Sequence, residues 1–344
     1  MPRRETTPPP TTEPQISVLI TAHNEADRIQ SCLQAIINQD YPMERVEILL
    51  VDDRSTDGTA DRALAMNLPN LRVLRLDEVV PPLTTRQTAL DMGIREARGE
   101  VVLIADAGGR VPREWIRELS GHIGYRDGAV TAPVIFAGRP RFLARFQTVD
   151  SLLTYNFYFW SHRRRSPSGV YAANLAVRRH AYIDIGGFEK IGFAPAPDLA
   201  LGQALVRGNW DVRFLLGPAV QNLCAPNLKE LVARRVRRFR NIPRHINLFF
   251  ILMILSNLIL LGLTVAFGGI WISILILRYV LGLFFIAAAI EKYGAHRLTS
   301  ILLYEPVLTF IGAWSYLSWM FAHNWSWGDV TYSATDDPAS SVRG

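Results

Sequence analysis

Cysteine is scarce in this sequence, which has only Cys32 and Cys224 among its 344 residues. Two widely separated cysteines exclude a disulfide framework and do not have the spacing of metal ligands. They are compatible with a reducing, cytosolic compartment. Neither a disulfide-stabilised secreted domain nor a zinc finger is therefore expected.

Glycine is missing from the first predicted turn, residues 21–27, where a nicotinamide-binding domain carries its glycine motif. A P-loop motif is missing from the whole chain. Residues 1–15 have no hydrophobic segment and are rich in proline and threonine, so we expect a disordered tail and neither a signal peptide nor an anchor. These absences exclude two widespread classes of nucleotide-binding domain.

Long apolar runs are confined to residues 246–323. The first two, Ile246–Phe267 and Ile270–Ile290, are long enough to cross about 30 Å of hydrocarbon. The third, Leu298–Ala322, contains Glu305 and Pro306 and either spans the membrane, lies at its surface or re-enters it. The sequence therefore predicts a membrane region with two or three transmembrane helices, followed by a polar tail at 324–344.

Two ionisable residues, Arg278 and Glu305, lie inside the predicted spans. Charges at membrane depth are costly and are usually paired or functional. Two explanations stay open: the residues pair with each other and hold two helices together, or they handle a lipid phosphate.

Positive charge is concentrated in residues 229–245, which hold seven lysines and arginines and a single glutamate, so this segment alone matches the net charge of +6 of the whole chain. Because it leads directly into an apolar run, it predicts a basic amphipathic helix at an anionic membrane surface rather than a nucleic-acid site. The positive-inside rule then places the globular domain in the cytosol of a multi-pass protein of the cell membrane.

Residues 16–228 alternate between apolar strand patterns and helical patterns, which predicts an α/β fold with a mostly parallel sheet and helices on both faces. Polar clusters follow three of the predicted strands: Asn24-Glu25, Asp52-Asp53 and Asp106. Ligands bind beyond the carboxyl ends of parallel strands, so these clusters indicate a rim for a nucleotide-sugar with a divalent metal. The alternative for Asp52-Asp53 is a capped turn without a ligand.

Three segments carry a family resemblance: Ile16–Glu25, Val51–Thr59 and Ala97–Ala107. Together they resemble the family 2 glycosyltransferases with a GT-A fold, and the resemblance covers roughly residues 16–240. It implies a GT-A-type, Rossmann-like domain followed by transmembrane helices, and a donor that is a UDP- or GDP-linked sugar.

The resemblance also implies roles for single residues. Asp106 matches the first acid of the metal-binding Asp-x-Asp motif, and Asp198 takes the place of the general base. The residues expected to bind the donor are Thr21, Asn24, Glu25, Asp52, Asp53, Arg86, Asp106, Asn174, Arg235 and Arg238. The alternative for Asp198 is an N-cap on a helix that begins at Leu199.

The sequence departs from the family pattern at two positions of the site. Gly108 replaces the second acid of the metal motif, and Pro197 replaces the first member of an acidic pair before Asp198. A divalent metal, Mg²⁺ or Mn²⁺, is therefore expected to be held by Asp106 and the substrate diphosphate, weakly.

These features predict a hexosyltransferase that moves a sugar from a nucleotide-sugar to a lipid-linked or membrane-embedded acceptor with inversion, and has no nucleic-acid partner. The alternative is a catalytically silent GT-A domain that binds nucleotide or lipid as a scaffold in envelope or glycolipid assembly.

Overall fold

The computed structural model describes residues 15–164, 169–241, 244–291, 293, 298–321, 324–327 and 330–333. The chain divides into two compact units. The first contains the described residues up to Val134 and those from Tyr158 to Asn222, and the second contains Ile135–Phe157 and the described residues from Leu223 onward. Residues 135–157, which the sequence analysis assigned to the glycosyltransferase-like domain, thus group with the C-terminal helices.

Strands and helices alternate along the first two thirds of the chain, and long helices follow. In chain order the elements are β1 (Ile16–Ala22), α1 (Ile29–Ile37), β2 (Val46–Asp52), α2 (Thr59–Leu64), β3 (Leu71–Arg75), α3 (Thr85–Glu96), β4 (Val101–Asp106), α4 (Trp115–Gly121), β5 (Asp127–Thr131), β6 (Val134–Ala137), α5 (Arg141–Arg163), β7 (Leu175–Arg178), α6 (Arg179–Asp184), α7 (Gly187–Ile191), α8 (Pro197–Arg207), β8 (Asp211–Phe214), β9 (Val220–Leu223), α9 (Leu228–Asn241), α10 (Arg244–Phe267), α11 (Ile270–Glu291), α12 (Leu298–Phe321), β10 (Asn324–Trp327) and β11 (Val330–Ser333).

A seven-stranded sheet organises the first unit, in the order β3-β2-β1-β4-β7-β5-β8. The pairs β1–β2, β1–β4, β2–β3 and β5–β8 are parallel, whereas β7 runs antiparallel to β4 and β5. Helices cover both faces, which is why the central strands are apolar on both sides. The predicted α/β fold with a mostly parallel sheet is confirmed.

Each face of the sheet carries its own hydrophobic core. On one face α1 and α4 pack against the strands through buried residues that include Ile29, Leu33, Ile36, Trp115 and Ile116. On the other face α3, α6 and α8 pack through residues that include Leu90, Ile94, Tyr182, Leu201 and Leu205. The helices that follow β1 and β2 in sequence are thereby held against the sheet, and the loops that lead into them are held at its carboxyl edge.

The second unit is built from helices around a smaller core. Buried side chains of α5, α9, α11 and α12 meet there, including Leu152, Leu231, Ile286 and Leu308. Phe146 of α5 stacks on Tyr304 of α12, with ring centroids 5.2 Å apart.

One helix among the described residues, α11, is long and apolar enough to cross a membrane. Its apolar side chains are largely exposed, and Ile270, Leu277 and Phe285 are each more than 60% exposed, unlike those of a buried core helix. Within the second unit, Arg278 of α11 donates a hydrogen bond to the Glu305 carboxylate of α12. Of the two explanations for these charges, the structure therefore supports the first, in which Arg278 and Glu305 pair with each other and join two helices.

Gly99 is required by a close backbone approach between the start of β4 and the start of β1. A Cβ atom at residue 99 would lie 2.5 Å from the Ser17 nitrogen and 2.7 Å from the Ile16 carbonyl carbon. The Gly99 N–H also donates to Ser17 Oγ over 2.9 Å. Neither backbone neighbour can rotate away, so the edge of the sheet itself would have to move.

We predict that Gly99→Ala lowers the free energy of unfolding by about 1–3 kcal/mol, the usual effect of overpacking. The matched control is Gly121→Ala in α4, where an added Cβ meets nothing within 4 Å. Thermal unfolding in detergent measures both variants. Equal melting temperatures for the two would contradict the close approach.

Candidate active site

The carboxyl ends of three parallel strands meet at one edge of the sheet in the first unit. Thr21 of β1 is in register with Val51 of β2 and with Asp106 of β4. The next residue, Ala22, is in register with Asp52. The polar clusters that the sequence places after these strands are therefore brought together, as expected for a ligand-binding crevice.

The loops after β1 and β2 are tied together by hydrogen bonds. The Asn24 N–H donates to Ser55 Oγ over 2.9 Å, and Asn24 Oδ1 accepts from the Thr56 N–H over 2.9 Å. The Glu25 N–H donates to Thr59 Oγ1 over 2.9 Å. Asn24 adopts a left-handed conformation, with φ of 55°, which asparagine tolerates better than most residues. Asn24 therefore shapes the rim by joining two loops.

Asp57 completes this connection from the second loop. Its Oδ2 accepts the Ala26 N–H over 2.9 Å, and its Oδ1 accepts from the Thr59 N–H over 3.0 Å. Hydrogen bonds, first of all from the Thr59 hydroxyl, lower the pKa of the Asp57 carboxyl, so it stays ionised.

Asp52 and Asp53 are both buried at the end of β2. Asp53 Oδ1 accepts from Arg54 Nε over 3.0 Å, and Arg54 has a left-handed φ of 56°. Asp52 Oδ1, by contrast, is buried and has no hydrogen-bond partner within the described residues. Because an unpaired buried acceptor is costly, Asp52 is the acid of this rim that most needs a donor from a ligand.

The first turn of α3 carries Arg86 and is held by a capping box. Thr84 Oγ1 accepts from the Gln87 N–H over 3.2 Å, and Gln87 Oε1 accepts from the Thr84 N–H over 3.1 Å. Gln87 also donates to the Gly192 carbonyl over 2.7 Å and accepts from the Ala194 N–H over 2.9 Å. This one buried amide therefore joins the start of α3 to the loop that leads into α8.

Arg86 and Asp106 form an ion pair at the centre of the site. Arg86 Nη2 lies 2.7 Å from Asp106 Oδ1, and Asn222 Nδ2 donates to Asp106 Oδ2 over 2.9 Å. Burial lowers the pKa of Arg86, but the neighbouring carboxylates of Asp106 and Asp198 outweigh this effect and raise it. The guanidinium therefore stays charged, and both oxygens of Asp106 are engaged.

Asp198 lies in the first turn of α8, which begins at Pro197 with Ala196 as its N-cap. Asp198 Oδ1 accepts from the Leu199 N–H over 3.0 Å. The N-cap alternative for Asp198 is therefore wrong, because the helix starts two residues earlier than the sequence suggested. Its charge contributes to the raised pKa of Arg86.

The negative charge at this sheet edge also affects the thiol of Cys32. Cys32 Sγ lies 3.7 Å from the Asp106 carbonyl oxygen. Burial, followed by the charges of Asp106 and Glu25, raises the pKa of the Cys32 thiol to about 12. Cys32 is therefore a buried, unreactive neighbour of the site.

The donor set does not fit a divalent cation held by the protein. Such cations take several oxygen ligands, and Mg²⁺ demands near-octahedral geometry. Gly108 supplies no ligand, and both Asp106 oxygens already accept hydrogen bonds, one of them from a cationic guanidinium. The described residues contain no group of three or more His, Cys, Asp or Glu placed to hold a metal ion.

Asn174 is fully buried, and its amide is used within the fold. Its Oδ1 accepts from Trp115 Nε1 over 2.9 Å, and its Nδ2 donates to the carbonyls of Pro133 and Pro218, each over 2.8 Å. Asn174 therefore supports the loops around the sheet, and the geometry gives no support to its predicted contact with the donor.

Two further predicted donor residues, Arg235 and Arg238, lie on α9 in the second unit. Arg235 Nη1 pairs with Asp150 Oδ2 over 2.8 Å, and Asp150 Oδ1 also accepts from the Tyr304 hydroxyl over 2.9 Å. The side chain of Arg238 lies outside the described residues.

Sequence reasoning missed Asn222 and Gln87, which fix Asp106 and the start of α3. Asn222 is 116 positions from Asp106 along the chain and sits in a short strand with no motif around it. The sequence carried a signal only for Gln87, since Thr84 and Gln87 have the spacing of a capping box.

The sequence of this chain is similar to those of known glycosyltransferases. The family model described as glycosyl transferase family 2 matches residues 17–186. Glycosyltransferase AglE of Haloferax volcanii is 35% identical over 107 residues, covering 30% of this chain and 34% of that protein. Beta-monoglucosyldiacylglycerol synthase of Nostoc sp. is 26% identical over 222 residues, covering 60% and 44%. The chain spans less than half the length of these curated relatives.

A solved structure, the mannosyltransferase PcManGT from Pyrobaculum calidifontis in complex with GDP-Man and Mn²⁺, superposes with a TM-score of 0.55. It is 18% identical in sequence, and the match covers 89% of this chain and 90% of that one. At this identity the likeness is evidence for the GT-A-like fold. Together with the strand-end motifs and the family match, it leads to one assignment: through residues 17–186, this chain belongs to glycosyl transferase family 2.

Proposed function

We propose that this protein transfers a hexosyl group from a nucleotide-sugar to a lipid-linked or membrane-embedded acceptor, with inversion at the anomeric carbon. The observation that carries the proposal is the convergence of Asp52, Asp106 and Arg86 at one sheet edge. Carboxylates there suit the hydrogen-bond donors of a base and a ribose, and a guanidinium suits a diphosphate.

The nucleotide half of the site is the loop pair after β1 and β2. Asp52 offers a buried carboxylate oxygen that lacks a partner among the described residues. The ring N–H of uracil or guanine would satisfy it, which makes a UDP- or GDP-linked donor the best fit. Thr21, Glu25 and Asp53 lie at the same rim and are proposed to contact the base and ribose, with Asn24 holding the loops in place.

The diphosphate is proposed to lie against the start of α3. The N-terminus of a helix favours anions, and Arg86 adds a full positive charge in the first turn. Arg110 is a second arginine close to this region, since its backbone pairs with Gln221 beside Asn222. The proposed site does not depend on Arg235, Arg238 or Asn174.

In the transfer step, the acceptor oxygen forms a bond to the anomeric carbon while the bond from that carbon to the diphosphate oxygen breaks. Asp198 takes the acceptor's proton as general base. The electron pair of the broken bond leaves with the nucleoside diphosphate, next to Arg86. A single displacement inverts the anomeric configuration. The mechanism contains no step through Mg²⁺ or Mn²⁺, because the Asp106 oxygens are already engaged by Arg86 and Asn222.

A membrane acceptor is supported by the C-terminal half of the chain. α11 is long enough to cross a bilayer and exposes apolar side chains. α9 precedes the apolar helices and is rich in arginine, as suits an anionic lipid surface. The Nostoc relative is named for the synthesis of a glucosylated diacylglycerol. A multi-pass anchor with α10 and α12, and a cytosolic location of the first unit, belong to this proposal.

A second function is favoured by one observation. Both oxygens of Asp106 are engaged and Gly108 supplies no acid, as in a domain that binds nucleotide without turning it over. Such a silent domain would act as a nucleotide- or lipid-binding scaffold in envelope or glycolipid assembly.

Donor hydrolysis separates the two functions. Purified full-length protein in detergent is incubated with a panel of UDP- and GDP-sugars, and nucleoside diphosphate release is measured beside nucleotide binding. We expect slow release from at least one donor. Binding without any release, in the presence of extracted membrane lipid as acceptor, would favour the scaffold.

Asp52→Asn is predicted to weaken nucleotide binding by roughly 10- to 100-fold, because it removes a charge-assisted hydrogen bond to the base. Asp40→Asn is the control, since Asp40 lies in the loop before β2, at the opposite end of the strand, and pairs with Arg117. Calorimetry with UDP and GDP measures both. Unchanged affinity in Asp52→Asn would remove Asp52 from the base site.

Asp198→Asn is predicted to lower the rate of transfer by about 10²- to 10⁴-fold, the range of a lost general base, while nucleotide affinity stays at the wild-type value. Asp61→Asn, at an exposed ion pair with Arg75, is the control for loss of a carboxylate elsewhere in the first unit. Single-turnover transfer and calorimetry test the two parts separately. Wild-type turnover in Asp198→Asn would overturn the assignment.

A further inference from the structure

Three ion pairs involve arginines that the sequence singled out: Arg86 with Asp106, Arg235 with Asp150, and Arg278 with Glu305. The last two are internal to the second unit and are accounted for as contacts between its helices. The pair of Arg86 and Asp106 differs, because it occupies the position where the Asp-x-Asp pattern would place a metal.

Asp106 is held by a donor on each of its oxygens. Arg86 Nη2 lies 2.7 Å from Oδ1, and Asn222 Nδ2 lies 2.9 Å from Oδ2. Gly109 leaves room for Asn222, since a Cβ at residue 109 would lie 2.7 Å from Asn222 Oδ1. A cation that approached Asp106 would compete with these donors for the carboxylate and would be repelled by the guanidinium.

The position of Arg86 is also fixed by its own helix. The capping box at Thr84 and Gln87 sets the first turn of α3, and Gln87 is bonded to Gly192 and Ala194. The edge of the guanidinium that faces Asp106 is therefore held in place by hydrogen bonds within the protein. Its planar fork presents N–H donors on more than one edge, so it can bind a carboxylate and a phosphate oxygen together.

We propose that the Arg86 guanidinium, held by Asp106, takes the place of the divalent cation and neutralises the leaving nucleoside diphosphate, so that nucleotide binding and sugar transfer need no metal. This inference rests on the proposed transferase function and names the group that stabilises its leaving group. In the displacement step, the developing charge on the diphosphate oxygen falls next to Arg86, while the acceptor's proton passes to Asp198.

Gly108 is consistent with this assignment. It has no positive φ, so the backbone conformation at residue 108 does not by itself require glycine. The missing second acid is therefore not imposed by the backbone geometry of the turn. A second carboxylate beside Asp106 would add negative charge where the diphosphate binds, and one guanidinium would no longer balance it.

The test compares UDP and GDP binding to full-length protein in detergent, in EDTA and in excess Mn²⁺ or Mg²⁺. We expect wild-type affinities that agree within about twofold across these conditions, a difference of less than about 0.5 kcal/mol. Arg86→Gln should lose roughly 10- to 100-fold in affinity in EDTA, as for loss of a charge-assisted hydrogen bond. Arg117→Gln, at the other end of the sheet, should bind as the wild type does.

Two results would overturn the inference while leaving the transferase proposal intact: nucleotide binding that occurs with Mn²⁺ or Mg²⁺ and disappears in EDTA, or wild-type affinity of Arg86→Gln in EDTA. Absence of nucleotide binding under every condition would overturn the transferase proposal and this inference with it. The wild-type metal titration needs no variant, so the inference stays testable if Arg86→Gln does not fold.

Discussion

Parallel pairing of β1 with β2 and β4, with the carboxyl ends in register, is the constraint on which the site depends. Both faces of these strands are covered by helices, and a shift of one residue would turn every buried side chain to the wrong face. The register therefore cannot slip without the loss of two cores. It places Thr21 beside Asp106 and Ala22 beside Asp52, so that loops distant in sequence form one rim.

The negative charge of several carboxylates at one sheet edge has to be compensated, and the fold does this in two ways. Around Asp53 and Asp57 the compensation comes from the adjacent Arg54 and from the backbone N–H groups of Ala26 and Thr59. Around Asp106 it comes from two side chains, Arg86 and Asn222. Among the acids of this edge, Asp52 keeps a buried carboxylate oxygen without a partner in the described residues. The paired acids therefore stabilise the rim itself, whereas Asp52 is the acid that most needs a ligand.

The sheet and its acidic edge could be predicted from sequence, because buried parallel strands are continuous apolar runs and their polar ends are adjacent in the chain. The partners of those acids could not. Asn222 reaches Asp106 only through tertiary folding, and Asn174 looked like a ligand residue although its amide holds Trp115 and two proline carbonyls. The helix of Asp198 began earlier than expected because Pro197 is accepted in a first turn. No pattern in residues 135–157 indicated that they belong with the C-terminal helices.

The central claim is that a nucleoside diphosphate binds at the ends of β1, β2 and β4 with its phosphates against Arg86. An experimental structure of the full-length protein with UDP or GDP, solved in metal-free buffer, tests it most directly. The account predicts the base beside Asp52 and a phosphate oxygen within hydrogen-bond distance of the Arg86 guanidinium, with Asp106 still paired to it. A nucleotide bound elsewhere, or Arg86 turned away from the phosphates, would contradict it.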